Sequence, residues 1–188
     1  RAVVSNLKKV RDLELNYENS RFEHKLVIKK DYIKQPKPSG YRSVHLVYKY
    51  KNRRATSYNG LLVELQIRTR LQHAWATAVE TMGTYLNHSL KSSEGPDEWL
   101  DFFSLAGSAF AHLEGTETVP GYEHINRLET YKETISNAQR LNVYDQLKAF
   151  SIATREIEID KRKGSYHLIV LDLNKRRVSV KTYGQEYL

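Results

Sequence analysis

An α+β fold is predicted by three features of this 188-residue sequence. Residues 43–68 alternate in the manner of a β-hairpin, long helical stretches follow, and a short β unit closes the chain. Arg1–Ser5 is a β-like run that reads as a buried strand entered midway, with material upstream expected. Asn6–Ser20 places Leu7, Val10, Leu13, Leu15 and Tyr17 near helical spacing, which predicts an amphipathic helix. Phe22–Asp31, with Leu26, Val27 and Ile28, reads as a strand. Gln35–Gly40 is a loop, because its prolines oppose helix and Gly40 admits unusual backbone angles.

The hairpin is the clearest local element. Ser43–Lys51 alternates Val44, Leu46, Tyr48 and Tyr50 with polar residues, so one face is expected to be buried. Lys51–Gly60 is a polar connection with Asn59-Gly60 as the turn signal, and Leu61–Arg68 is the returning strand. Thr69 is a fitting N-cap for a helix over Thr69–Ser89, with an apolar stripe of Leu71, Trp75, Ala78, Val79 and Met82. Pro96 is placed to start a helix over Asp97–Leu113. Glu114–Gly121 reads as a loop and Tyr122–Phe150 as a third helical stretch. Near Ser151 the composition shifts. Ile152–Ile159 alternates charge with Ile, and Ser165–Leu171 and Arg177–Tyr183 read as strands around a turn at Asp172–Lys175. The expected organisation is a main domain over 1–120, a connecting helix over 121–150 and a C-terminal β unit over 151–188.

Composition narrows the partners. The formal net charge is +8, which favours polyanions such as nucleotides, RNA or anionic lipid. The absence of Cys excludes disulfides and thiolate metal sites. No apolar run reaches membrane-spanning length, no signal peptide is visible, and a cytoplasmic protein is the default expectation. The His residues show no ligand spacing for a resident metal. The thirteen Tyr suit cores, interfaces and base-stacking sites alike.

Two segments carry the chemistry. In Val63–Thr69 a strand puts Val63, Leu65 and Ile67 on one face, expected to be core, and Glu64, Gln66 and Arg68 on the other. A carboxylate, an amide and a guanidinium then stand in a row, and the carboxylate suits Mg²⁺ binding or proton abstraction from a hydroxyl. Read alone, that row is more often a solvated strand face. In the second segment, 31–45, a Pro-bounded loop presents Lys37, a point charge suited to phosphate, and Tyr41, a ring on which a base can stack. Tyr41, Ser43 and His45 share a strand face, although an isolated Gly-Tyr pair is more often core.

Together, Pro36-Lys37-Pro38-Ser39-Gly40-Tyr41-Arg42-Ser43-Val44-His45 and Glu64-Leu65-Gln66-Ile67-Arg68-Thr69 resemble the RelA/SpoT-type (p)ppGpp synthetase family. Its patterns run P-K-x-x-G-Y-x-S-x-H and E-x-Q-I-R-T, and the resemblance covers residues 1–85. It implies a nucleotidyltransferase-like mixed β-sheet flanked by helices. It also implies an ATP-dependent pyrophosphokinase that moves pyrophosphate from ATP to a ribose 3′-hydroxyl, usually of GDP or GTP. By resemblance, Tyr41 stacks on the acceptor base, Lys37 and His45 contact its phosphates or sugar, Glu64 binds Mg²⁺ and helps activate the hydroxyl, Gln66 shapes the pocket and Arg68 supports it or meets phosphate.

The departures from that pattern also matter. Ser39 replaces the usual Asn, and Val79-Glu80 stand where alarmone-making members often have Glu-His. The family's ATP loop and its D-x-x-G-x-R metal motif are expected before residue 1, with Arg1 as the last position of that motif. His73-Ala74-Trp75-Ala76-Thr77-Ala78-Val79-Glu80 is similar to the toxic small alarmone synthetases of the CapRel-like group. That similarity implies two alternatives, tRNA as acceptor and an antitoxin-like C-terminal region contacting the synthetase intramolecularly. A catalytically inactive nucleotide- or RNA-binding module is a third reading.

Overall fold

The computed structural model describes residues 1–149 in full, and residues 165–172 and 177–184 by their backbone. The chain divides into two compact units, Arg1–Val143 and Tyr144–Leu188. In the second, β5 (Ser165–Asp172) and β6 (Arg177–Gly184) pair antiparallel, as the strand pattern predicts. The Ile152–Ile159 segment and the turn at 173–176 lie outside the described residues.

The first unit is built on a four-stranded mixed sheet in the order β1-β4-β3-β2. β1 (Ala2–Val4) runs parallel to β4 (Leu62–Thr69), while β3 (Val44–Lys49) is antiparallel to both β4 and β2 (Lys25–Asp31). This is the expected α+β architecture with helices on the sheet. β1 is half-exposed and not buried, with Val3 40% accessible. β2 begins at Lys25, because Phe22 turns its ring onto Tyr48 with centroids 5.3 Å apart.

One sheet face forms the core under α1 (Leu7–Glu18), where Val10 meets Ile33, Val44, Leu46, Tyr48 and Ile67. Asn6 caps this helix by accepting from the Lys9 N–H. The helical face differs from expectation by one step. Leu15 points to solvent and Glu14 is buried, where it binds Arg11 and Lys29. On β4 the expected apolar face holds at Leu65 and Ile67 and fails at Val63, which is half exposed. β1 reaches only Ile67–Thr69, so among the described residues the first half of β4 has no strand neighbour on that side. The hairpin connection ends in a type II turn, with Asn59 extended and Gly60 at φ +92°, closed by Leu61 N–H donating to the Tyr58 carbonyl.

α2 (Arg70–Leu86) packs against β1 and β4, and α3 (Asp97–Glu114) packs on α2. Thr69 and Gln72 form a capping box at the start of α2. That box turns Gln72 inward and leaves Leu71 exposed, so Leu71 is not part of the buried stripe. Pro96 is the N-cap of α3, and Gly115 ends it in the left-handed region. The third helical stretch is interrupted: α4 (Arg127–Arg140) starts at an Asn126 cap and stops before Asn142, whose φ is +49°. α4 packs on α3.

Candidate active site

Three structural causes bring the chosen residues together. The first is strand register. His45 pairs with Gln66 and Val47 with Glu64, so His45, Gln66 and Glu64 share the face opposite α1. Lys30 on β2 pairs with His45 and joins them. Period-two alternation continued across the β2–β3 pair would have revealed Lys30, which sequence reasoning left out of the site.

The second cause is the loop before β3. Gly40 has φ +90°, and a Cβ there would lie 2.7 Å from the Phe103 carbonyl and 2.9 Å from the Trp75 ring. Only glycine fits that turn. A Cβ on Gly107 would likewise fall 2.7 Å from the Gly40 Cα. Ser104 Oγ donates to the Pro38 carbonyl at 2.6 Å, and Trp75 Nε1–H to the Phe103 carbonyl at 2.9 Å. The loop therefore rests directly on α3 and aims Tyr41 towards β3.

The third cause is a chain of hydrogen bonds. Tyr41 Oη lies 2.7 Å from His45 Nε2, and His45 Nδ1 lies 2.7 Å from Glu64 Oε1. Burial holds the His45 imidazole below its ordinary pKa, against the pull of Glu64, so it is neutral near pH 7. Burial alone would raise the Glu64 carboxyl. The Gln66 hydrogen bond and His45 outweigh that and hold it below the ordinary value, so it is ionised. Burial raises the Tyr41 phenol, which stays protonated. A carboxylate only accepts, so the single imidazole proton sits on Nδ1 and donates to Glu64. Nε2 then accepts from the Tyr41 hydroxyl. Glu64 Oε2 accepts from Gln66 Nε2 at 2.8 Å. Each carboxylate oxygen keeps a further acceptor direction, and the side chain is 43% exposed.

Tyr41 is not the open plate that the sequence suggested. It is 4% exposed, its ring meets Tyr32, His45 and Trp75 edge-on, and the Lys37 and Lys91 ammonium groups sit 5.5 and 5.9 Å from its centroid. The covering groups over the ring are thus two flexible cations. Lys91 also lines a cleft of about 710 Å³, with Glu80, Gly83, Asn87 and His88, and pairs with Glu80 at 2.7 Å.

Arg68 departs most from expectation. It does not project beside Glu64 and Gln66 into solvent, being 1% exposed. Its Nη2–H donates to His73 Nδ1 at 2.8 Å, while Nε and Nη1 find no partner among the described residues. A buried guanidinium with unmatched N–H groups is costly unless an anion meets it. Lys37 remains exposed at the rim.

Among the described residues no helix is long and apolar enough to cross a membrane. None of their His, Cys, Asp and Glu side chains gather in threes that could hold a metal.

The family described as the region found in RelA / SpoT proteins matches residues 1–89. The chain is similar to the GTP pyrophosphokinase YjbM of Bacillus subtilis, with 43% identity over 58 residues, covering 31% of this chain and 28% of the relative. It is also similar to the GTP pyrophosphokinase YwaC of the same organism, with 35% identity over 66 residues, covering 35% of this chain and 31% of the relative. These matches span less than a third of either relative's length. In three dimensions it resembles the crystal structure of small alarmone synthetase 1 from B. subtilis bound to its product pppGpp. The TM-score is 0.50 at 27% identity, covering 60% of this chain and 55% of that one. Small alarmone synthetase 2 from B. subtilis gives a TM-score of 0.51 at 26% identity, covering 60% and 58%. The segment that is similar to the RelA/SpoT family, residues 1–89, contains the loop and strands bearing Tyr41, His45 and Glu64.

Proposed function

We propose that the Arg1–Val143 unit is the acceptor-binding part of an ATP-dependent pyrophosphotransferase. The reaction breaks the link between the α- and β-phosphates of ATP, moves the β,γ-pyrophosphate to the 3′-hydroxyl of a guanosine nucleotide, GDP or GTP, and releases AMP with a (p)ppGpp-type alarmone. The observation that carries this reading is the Tyr41–His45–Glu64 relay, which ends in an ionised, half-open carboxylate.

The relay gives each side chain a task. Glu64 takes the proton of the attacking hydroxyl while His45 and Gln66 hold its orientation. A base laid against Tyr41 displaces the Lys37 and Lys91 ammonium groups from the ring, and those cations then turn to phosphate. The unmatched Arg68 N–H groups receive a further anionic oxygen. Pyrophosphate transfer is largely positioning plus charge stabilisation, and these residues supply both. Among the described residues Glu64 belongs to no group of three or more His, Cys, Asp or Glu side chains, which fits Mg²⁺ brought with nucleotide phosphates and does not fit an all-protein cage. Glu64 would hold such an ion, and the ion would supply charge neutralisation for the transfer.

One observation favours tRNA as an alternative acceptor. Lys25 pairs with Lys49 on the same sheet face as His45 and Lys30, so cations continue from the site towards the hairpin tip. The deciding experiment supplies the full-length protein with Mg²⁺ and labelled ATP, and offers GDP or GTP in one reaction and deacylated tRNA in another. Label on the nucleotide supports the proposal. Label on tRNA alone, lost on Lys49→Ala, replaces it with the RNA reading. Label on neither, with nucleotide still bound, leaves a binding module.

A further inference from the structure

Glu114 is the last residue of α3, beyond the segment that matches the family. A carboxylate there faces the negative end of the helix dipole, so the position is locally unfavourable. Residues that break a local rule call for a tertiary reason, and the contacts of Glu114 provide one. Oε1 accepts from the Thr69 hydroxyl. Oε2 accepts from Gln72 Nε2 at 2.9 Å and lies 3.2 Å from Arg42 Nη1. Arg42 also donates from Nη1 to Thr116 Oγ1 at 3.1 Å. The Arg42 side chain is 1% exposed and that of Glu114 8%, so this is an internal ion pair.

The partners of Glu114 are the neighbours of the site residues. Arg42 follows Tyr41 in the loop that enters β3, and Thr69 follows Arg68 at the end of β4. One carboxylate thus ties together the two strand ends whose side chains must meet across the sheet. α3 holds the same loop a second time, through Ser104 on Pro38 and the close approach of Gly107 to Gly40.

We propose that Glu114, acting through Arg42 and Thr69, is a positioning residue that sets the reach of Tyr41 and His45 to Glu64. Its effect on acceptor use rests on the function proposed above, whereas its effect on the relay does not. The test compares Glu114→Gln with the unaltered full-length protein, each shown folded by its thermal melt. The first readout is the downfield ¹H resonance of the His45 Nδ1 proton at fixed pH, a direct signature of its 2.7 Å hydrogen bond to Glu64. The second is acceptor KM beside ATP KM and kcat.

Glu114→Gln is expected to shift the His45 Nδ1 proton upfield and to raise acceptor KM by about ten-fold with ATP KM unchanged. Glu114→Asp is expected to recover part of both. If Glu114→Gln does not fold, the paired variant Arg42→Met with Glu114→Gln removes both internal charges and serves the same readouts. An unchanged His45 Nδ1 proton resonance in a folded variant overturns the proposal, as does an equal loss of ATP and acceptor binding. Absence of transfer by the unaltered protein sinks the functional reading, and the His45 Nδ1 proton resonance still decides the role of Glu114.

Discussion

Two polar networks lie side by side in the first unit, and they differ in what they leave open. The Tyr41–His45–Glu64 relay ends in a carboxylate that is 43% exposed and keeps acceptor directions free. The Arg42–Glu114–Thr69–Gln72 network is buried, and both Glu114 oxygens are occupied. The first has the properties of a group that meets a substrate. The second has those of a group that fixes a scaffold. Similar residue types serve chemistry or architecture according to whether solvent and ligand can reach the last oxygen.

Substitution at each network should separate the two roles. Glu64→Gln is expected to lower kcat for pyrophosphate transfer by about 10²–10⁴-fold and to leave the melting temperature nearly unchanged, because the carboxylate is at the surface. Transfer at the unaltered rate would remove Glu64 from the mechanism. Arg42→Met leaves Glu114 buried without its cation and is expected to cost about 3–5 kcal/mol of stability in chemical denaturation. A loss below about 1 kcal/mol would show that the pair contributes little to the scaffold. Gly107→Ala drives a methyl into Gly40, with an expected cost of about 1–3 kcal/mol. Its chemical-shift changes should centre on Tyr41 and His45, and changes confined to α3 would argue against direct support of the loop.

The pH dependence gives a gentler test. Glu64 and His45 both have pKa values below their ordinary ones in the folded state. Both therefore favour the deprotonated native form. Their contribution is complete above the unfolded-state values and is lost as pH falls through the folded ones. The acid limb of transfer is expected below the ordinary imidazole value of about 6.5. A limb centred at or above that value would mean that His45 is not held neutral. The smallest effect is expected at Arg53→Ala. Arg53 pairs with Glu23 although its side chain is 87% exposed, and melting should register less than about 0.5 kcal/mol.

Much of the site was legible because strand alternation is a local rule. The hairpin pattern put His45 on one face, Glu64 and Gln66 on another, and antiparallel pairing turned those into a single face. The Thr69 cap and the Gly40 turn were equally local. The misses have a common origin. Val63 and Leu71 read as core from periodicity but lie where no second layer covers them. Tyr41 and Arg68 read as exposed tools but lie beneath α2, α3 and the loop. Glu114 carried no signal at all, since its partners are 42 to 72 residues away in sequence: Gln72 and Thr69 on one side, Arg42 on the other.

The sequence by itself determined which side chains share a strand face, where the helices begin, and that Pro36–His45 and Glu64–Thr69 carry the family's motifs. The tertiary structure alone decided which of those side chains meet solvent, that Tyr41 reaches Glu64 through His45, and that Glu114 closes the frame behind them. Periodicity follows from backbone geometry within a few residues. Burial and ion pairing follow from which distant element arrives on top, and no local pattern encodes that.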